Sequence, residues 1–241
     1  MRVPMRRYPF PNIANFRDLG GLPAENGGMT RWGVFFRCAD PHGAAKQEMD
    51  FVYEQLHVRT VIDLRADAEI ALCPDPFKDD ARFSWIHHSL IGPVSFNEDI
   101  GIDHTTPDTP TMVRFYKVLI ERCEREFRML MTYLAEGTAR GAVMYHCSAG
   151  KDRTGIISML LESLCGVPEK DIVSQYEISG TLVKDTRKDD ITGSHHSNMV
   201  HLLEYIRHTF GSPKGYLLHA GVAAETLDTL RQALYMPPET D

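Results

Sequence analysis

His146-Cys147-Ser148-Ala149-Gly150-Lys151-Asp152-Arg153-Thr154-Gly155 lies between two apolar runs, Ala142-Val143-Met144-Tyr145 before it and Ile156-Ile157-Ser158-Met159-Leu160-Leu161 after it. The first run is short, as a buried strand is. The second continues to Leu164 and stops near Gly166, as a buried helix does. A strand, a tight loop and a helix start in that order make backbone N–H groups converge at the positive end of the helix. That is an anion site, and its size suits phosphate. Gly150 permits a backbone conformation that a side chain would block. Arg153 brings a planar fork that can hold two phosphate oxygens together. Ser148, Ala149, Gly150, Lys151, Asp152 and Arg153 are therefore the candidate phosphate-binding residues.

Cys147 opens this loop. The same N–H groups and nearby cations would stabilise its thiolate, and such settings bring a cysteine pKa from about 8.5 into the range of about 3.5–7.5. A thiolate present at neutral pH can attack a bound phosphate. The Thr154 hydroxyl could donate to the thiolate and help it leave again. Lys151 and Asp152 put a base and an acid at the rim. Lys151 reads either as a solvated cation or as a contact for additional phosphates.

Outward from the loop, the pattern is that of an α/β fold. Val34–Arg37, Thr60–Leu64 and Ala81–His87 are short runs consistent with strands. Residues 44–57 read as a helix, and Thr111 to about Glu136 reads as one long helix with apolar steps of three and four. Pro168 opens another helix, and the last runs from about Ala223 to Leu234. Asn15–Gly21, the turn at Asn26-Gly27-Gly28 and the strand at 34 predict an N-terminal hairpin. The expected architecture is a central, mostly parallel sheet flanked by helices. No linker divides the chain, so residues 1–241 are expected to form a single domain. Residues 91–110, rich in Pro, Gly and acids, read as a long exposed loop of the kind that serves as a lid.

The 241 residues include 26 Lys plus Arg and 33 Asp plus Glu, a formal net charge of −7. That argues against a nucleic-acid partner, which wants a basic face. No run of about 18 apolar residues predicts a membrane span. The five cysteines, at 38, 73, 123, 147 and 165, are an odd number without a C-x-x-C pair. They read as reduced thiols of a cytoplasmic protein. Cys123 and Cys165 lie on apolar stripes and read as core. The histidines show no metal-ligand spacing. No metal and no cofactor are expected.

The loop resembles the signature of the cysteine-dependent protein tyrosine phosphatases, His-Cys-x5-Arg-Ser/Thr, filled here by His146, Cys147, Arg153 and Thr154. Its Gly-Lys-Asp-Arg-Thr-Gly form is similar to the bacterial-type tyrosine/lipid phosphatase subfamily. Asn15-Phe16-Arg17-Asp18-Leu19-Gly20-Gly21, Val34-Phe35-Phe36-Arg37-Cys38-Ala39 and Ile62-Asp63-Leu64-Arg65-Ala66-Asp67-Ala68-Glu69 resemble further motifs of that subfamily. The resemblance spans about residues 12–166. The helical part at about 167–236 carries no recognised motif.

The resemblance implies metal-free hydrolysis of a phosphate monoester in two steps. Cys147 forms a phosphocysteine, Arg153 and the loop amides hold the oxygens, and an acid protonates the leaving group. No Trp-Pro-Asp tripeptide occurs. Asp152 is the first candidate for the acid, Asp63 the second, and Asp103 and Asp108 the third. Asp63 and Arg65 read equally well as a structural pair. The expected substrate is phosphotyrosine in proteins, with phosphoinositides as the alternative. Readings from other classes are a non-catalytic phosphate-binding protein and a redox sensor built on Cys147. The oligomeric state is not legible.

Overall fold

The computed structural model describes residues 5–91, 109–183 and 195–238. A five-stranded sheet has the order β1(Arg17–Asp18), β3(Phe35–Cys38), β6(Ala142–His146), β4(Val58–Asp63), β5(Ser84–His87). β3, β6, β4 and β5 are parallel, and β1 runs antiparallel to β3 along the edge. β6 is buried at every position, as a central parallel strand covered on both faces must be. The sheet is therefore mostly parallel, as expected.

The hairpin is wider than the turn signals suggested. Arg17 pairs with Arg37 and Asp18 with Phe36. Between them β2(Met29–Thr30) turns away and pairs with β7(Tyr235–Met236). Asp18 holds the base of the excursion, accepting N–H bonds from Gly20 and Gly33, each at 2.8 Å. Burial pushes its carboxyl up to about 6, against those two bonds.

Helices cover both faces. α1(Lys46–Glu54) packs on one face beside an aromatic cluster of Tyr8, Phe10, Phe16, Phe36 and Phe51. On the other face lie α3(Thr109–Arg122), α4(Glu124–Thr138), α5(Asp152–Leu164), α8(His196–Phe210), α9(Pro213–His219) and α10(Ala224–Leu234). Between them in sequence come α2(Asp67–Leu72), α6(Glu169–Glu177) and α7(Ser179–Leu182). One continuous core runs from Leu19 to Leu234. Cys123 and Cys165 are fully buried in it.

The single long helix expected from 111 to 136 is two helices. Cys123 departs from helical geometry at φ −107°, ψ 28°. Cys123 N–H still bonds Leu119 O and Phe127 N–H still bonds Cys123 O, so the two helices abut through Cys123 although the ladder between them is interrupted. Apolar spacing continues through such a bend, which is why periodicity missed it. Of the loop anticipated over 91–110 as a lid, residues 92–108 lie outside the described residues, Asp103 and Asp108 among them, while Thr109 and Pro110 belong to α3. No helix among the described residues is long and apolar enough to cross a membrane.

Candidate active site

β3, β4, β5 and β6 all end at one edge of the sheet, the edge where open α/β sheets bind ligands. There β6 passes into Cys147 and the loop, and α5 begins at Asp152. Leu64 N–H bonds His146 O at 2.9 Å, and Asp40 N–H bonds Ser148 O at 3.0 Å, so the neighbouring strand ends anchor the loop.

The loop's carbonyls from 148 to 151 are all bonded away from the cradle. Asn15 Nδ2 donates to Ala149 O at 3.1 Å and to Gly150 O at 2.9 Å. Arg37 Nη2 donates to Gly150 O at 2.7 Å and to Lys151 O at 3.4 Å. Gly155 N–H donates to Lys151 O at 2.8 Å. By contrast, no described backbone carbonyl takes an N–H from residues 148–153. Carbonyls bonded outward and N–H groups left free are the electrical arrangement of an anion cradle. Gly150 permits it with φ +63°; a Cβ there would sit 2.2 Å from Cys38 O. Asn15 also has positive φ, +57°, which a short amide side chain tolerates. Asn15 and Arg37 were not among the expected site residues, although both lie in the motif stretches that resemble the subfamily.

Cys147 is 2% exposed, at the start of the loop. The Thr154 hydroxyl is fully buried and has no hydrogen-bond partner among the described residues. Arg153 is gripped by Glu69: Nη1 lies 2.6 Å from Oε2 and Nη2 2.8 Å from Oε1. Ser148 Oγ donates to Glu69 Oε1, and Arg153 Nη2 reaches Ser148 Oγ at 3.1 Å. Burial alone would raise the Glu69 carboxyl. The hydrogen bonds and charge of Arg153 outweigh it and bring the group down to about 2. Burial likewise opposes the Arg153 charge, but Glu69 and Cys147 hold its pKa above the ordinary value. Glu69 is the chief residue that sequence reading missed as part of the site. The signal was its place at the end of the Asp63-Leu64-Arg65 element, whose partner in space cannot be read locally.

The candidate acids separate. Asp152, half-buried at the first position of α5, accepts a hydrogen bond from Tyr116 Oη at 2.5 Å. Asp63 is fully buried and committed to Arg65: Oδ1 accepts from Nε at 2.9 Å and Oδ2 from Nη2 at 2.7 Å. Arg65 also pairs with Asp40 at 2.8 Å, so this network ties the ends of β3 and β4 together. Lys151 is 4% exposed, with Nζ 3.8 Å from Asp152 Oδ2. Of its two readings, the solvated one does not hold.

Behind the loop, His146 Nε2 donates to Asp75 Oδ2 at 2.9 Å, and Trp85 Nε1 donates to the same oxygen at 2.9 Å. Burial pushes the Asp75 carboxyl up, but these bonds and that from Phe77 N–H hold it below the usual range. Asp63, Asp75 and His146 stand close enough to gather round a cation. Asp63 already serves Arg65, and Asp75 serves His146, Trp85 and Phe77 N–H, so both carboxylates are engaged; His146 Nδ1 has no hydrogen-bond partner among the described residues, and the trio reads as a buried brace for the strand end. Asp40, His42 and Cys73 also cluster, with Asp40 engaged by Arg65.

Comparison with known proteins finds the following similarities. The model of the tyrosine phosphatase family matches residues 8–236. The chain is similar to a tyrosine-protein phosphatase of Nostoc commune, 29% identical over 223 residues, which cover 83% of this chain and 74% of that protein. It is similar to the triple specificity protein phosphatase PtpB of Mycobacterium tuberculosis, 26% identical, covering 93% of this chain and 97% of that one. The crystal structure of P. aeruginosa TpbA aligns with 80% of this chain and 90% of its own, at 14% identity and a TM-score of 0.44.

Proposed function

This chain belongs to the tyrosine phosphatase family, and on that premise we propose that it hydrolyses phosphotyrosine in proteins through a phosphocysteine on Cys147. The observation that carries the proposal is the loop whose carbonyls from 148 to 151 are bonded outward while its N–H groups from 148 to 153, beside Arg153, have no partner among the described residues. Cys147 Sγ attacks phosphorus as the ester oxygen departs. The loop amides and Arg153 take the charge on the equatorial oxygens. Water then attacks the phosphocysteine, phosphate leaves, and the thiolate is restored; the buried hydroxyl of Thr154 is suited to receive it.

Asp152 is the acid in this reading. Its half-exposed carboxyl at the loop rim supports the assignment, and the full burial of Asp63 against Arg65 argues against the alternative. Residues 1–241 act as one phosphatase domain in this account, a reading supported by the family match and by the core shared from Leu19 to Leu234. Five unpaired cysteines fit the reducing cytoplasm.

The test is phosphate release, without added metal, from a phosphotyrosine peptide, a phosphoserine peptide and a soluble phosphoinositide, with Cys147→Ser as the blank. Preference for the phosphotyrosine peptide is expected, with Cys147→Ser below a tenth of wild type yet still binding inorganic phosphate. Release from the inositide at an equal or higher rate would move the chain to the lipid phosphatases. No release from any substrate would leave a phosphate-binding protein.

A further inference from the structure

Three helices send polar side chains to one buried line that ends on Asp152. Tyr116 on α3 is fully buried, and its hydroxyl donates to Asp152 Oδ1 at 2.5 Å. The same hydroxyl lies 2.7 Å from Tyr176 Oη on α6. Asn198 on α8 reaches Tyr176 Oη with Nδ2 at 3.3 Å. A tyrosine hydroxyl has one proton. Tyr116 gives its proton to Asp152, so it must accept from Tyr176, and Tyr176 in turn accepts from the Asn198 amide. Every donor in the line points towards Asp152, and such chains polarise one another. The fit is close: Gly155 on α5 leaves room for the Tyr176 ring, since a Cβ there would come 3.1 Å from its Cδ2.

We propose that Tyr116, backed by Tyr176 and Asn198, is a positioning residue for Asp152: it keeps Oδ1 as a hydrogen-bond acceptor, so that the proton Asp152 delivers to the leaving oxygen is carried on Oδ2. This rests on the reading of Asp152 as the acid. It also gives part of the motif-free helical region, through Tyr176 and Asn198, a stake in the reaction.

The experiment compares Tyr116→Phe, Tyr176→Phe and Asp152→Asn on two aryl phosphates, one with a good leaving group (p-nitrophenol) and one with a poor one (phenol). Asp152→Asn should lose far more rate on phenyl phosphate. Tyr116→Phe should show the same selectivity, about tenfold lower kcat on phenyl phosphate, with little change on p-nitrophenyl phosphate and unchanged affinity for inorganic phosphate. Added to Asp152→Asn, Tyr116→Phe should change nothing further. Tyr176→Phe should give the same pattern at smaller size, and it serves if Tyr116→Phe fails to fold. Equal losses on both substrates, while Asp152→Asn stays selective, would overturn this inference alone. A non-selective Asp152→Asn would overturn the acid assignment and the inference with it.

Discussion

Glu69 meets Arg153 oxygen for nitrogen, with Oε2 2.6 Å from Nη1 and Oε1 2.8 Å from Nη2. A residue on α2 thereby sets the plane of a guanidinium on α5. Ser148 joins the same pair, so the loop, the arginine and α2 are fixed together.

Glu69→Ala should leave Arg153 charged but free to rotate. Misplacing a binding group by about an ångström can cost roughly 10²-fold. We expect kcat/KM for an aryl phosphate to fall by about that factor, with weaker inhibition by inorganic phosphate. Rates within twofold of wild type would show that Arg153 orients itself without help.

The same carboxylate should register in stability. Its folded pKa of about 2 lies below its unfolded value of 4.5. The unfolded chain therefore binds the proton more readily between those values, and stability rises with pH across that window. The contribution is complete above pH 4.5 and disappears as pH falls through about 2. The Tm difference between wild type and Glu69→Gln should be full at pH 6 and shrink steadily at pH 4 and pH 3. A gap that stays constant with pH would mean that the charge contributes nothing.

Arg153→Lys keeps the charge and loses the fork. A lysine cannot hold Glu69 with two nitrogens and still present a planar edge to phosphate. Turnover should drop at least a hundredfold under saturating substrate. A modest loss would mean that charge alone is what the loop requires.

Asn15 supports the loop with its side chain and tolerates φ +57° with its backbone. Replacing it tests both. Asn15→Gly keeps the backbone and loses two bonds to loop carbonyls, a cost of about 1–3 kcal/mol. Asn15→Ala should cost about 1 kcal/mol more, because alanine resists the left-handed conformation. Urea unfolding of the two variants measures the difference, and equal midpoints would remove backbone strain from the account.

The central strands and the loop were legible because their signals are local. An apolar run, a glycine and a helical stripe announce β6, the loop and α5 within a few residues of one another. The bend at Cys123 was not legible, since apolar steps pass through it unchanged. α8 was legible in principle, because Met199, Leu202, Leu203 and Ile206 keep helical spacing and are all buried. β7 could not be seen: two residues leave no period, and Tyr235–Met236 is a strand only because Met29–Thr30 lies beside it. The grip of Glu69 on Arg153 and the reach of Tyr116 to Asp152 belong to the same class. Each is a contact between distant stretches, created by the packing of elements that local patterns describe only one at a time.

The pairing of β2 with β7 has a consequence for how the molecule is made. Thr30 faces Tyr235, and Arg31 N–H bonds Leu234 O, so β2 waits for a segment made far later in the chain. The ribosome emits the loop-bracing residues Asn15 and Arg37 long before the loop they brace, and the loop long before the clasp. Contacts this far apart in sequence form slowly. The nascent protein can assemble its phosphate cradle well before β2 and β7 are fastened together, so closure of that clasp, rather than emergence of the loop, marks the completion of the fold.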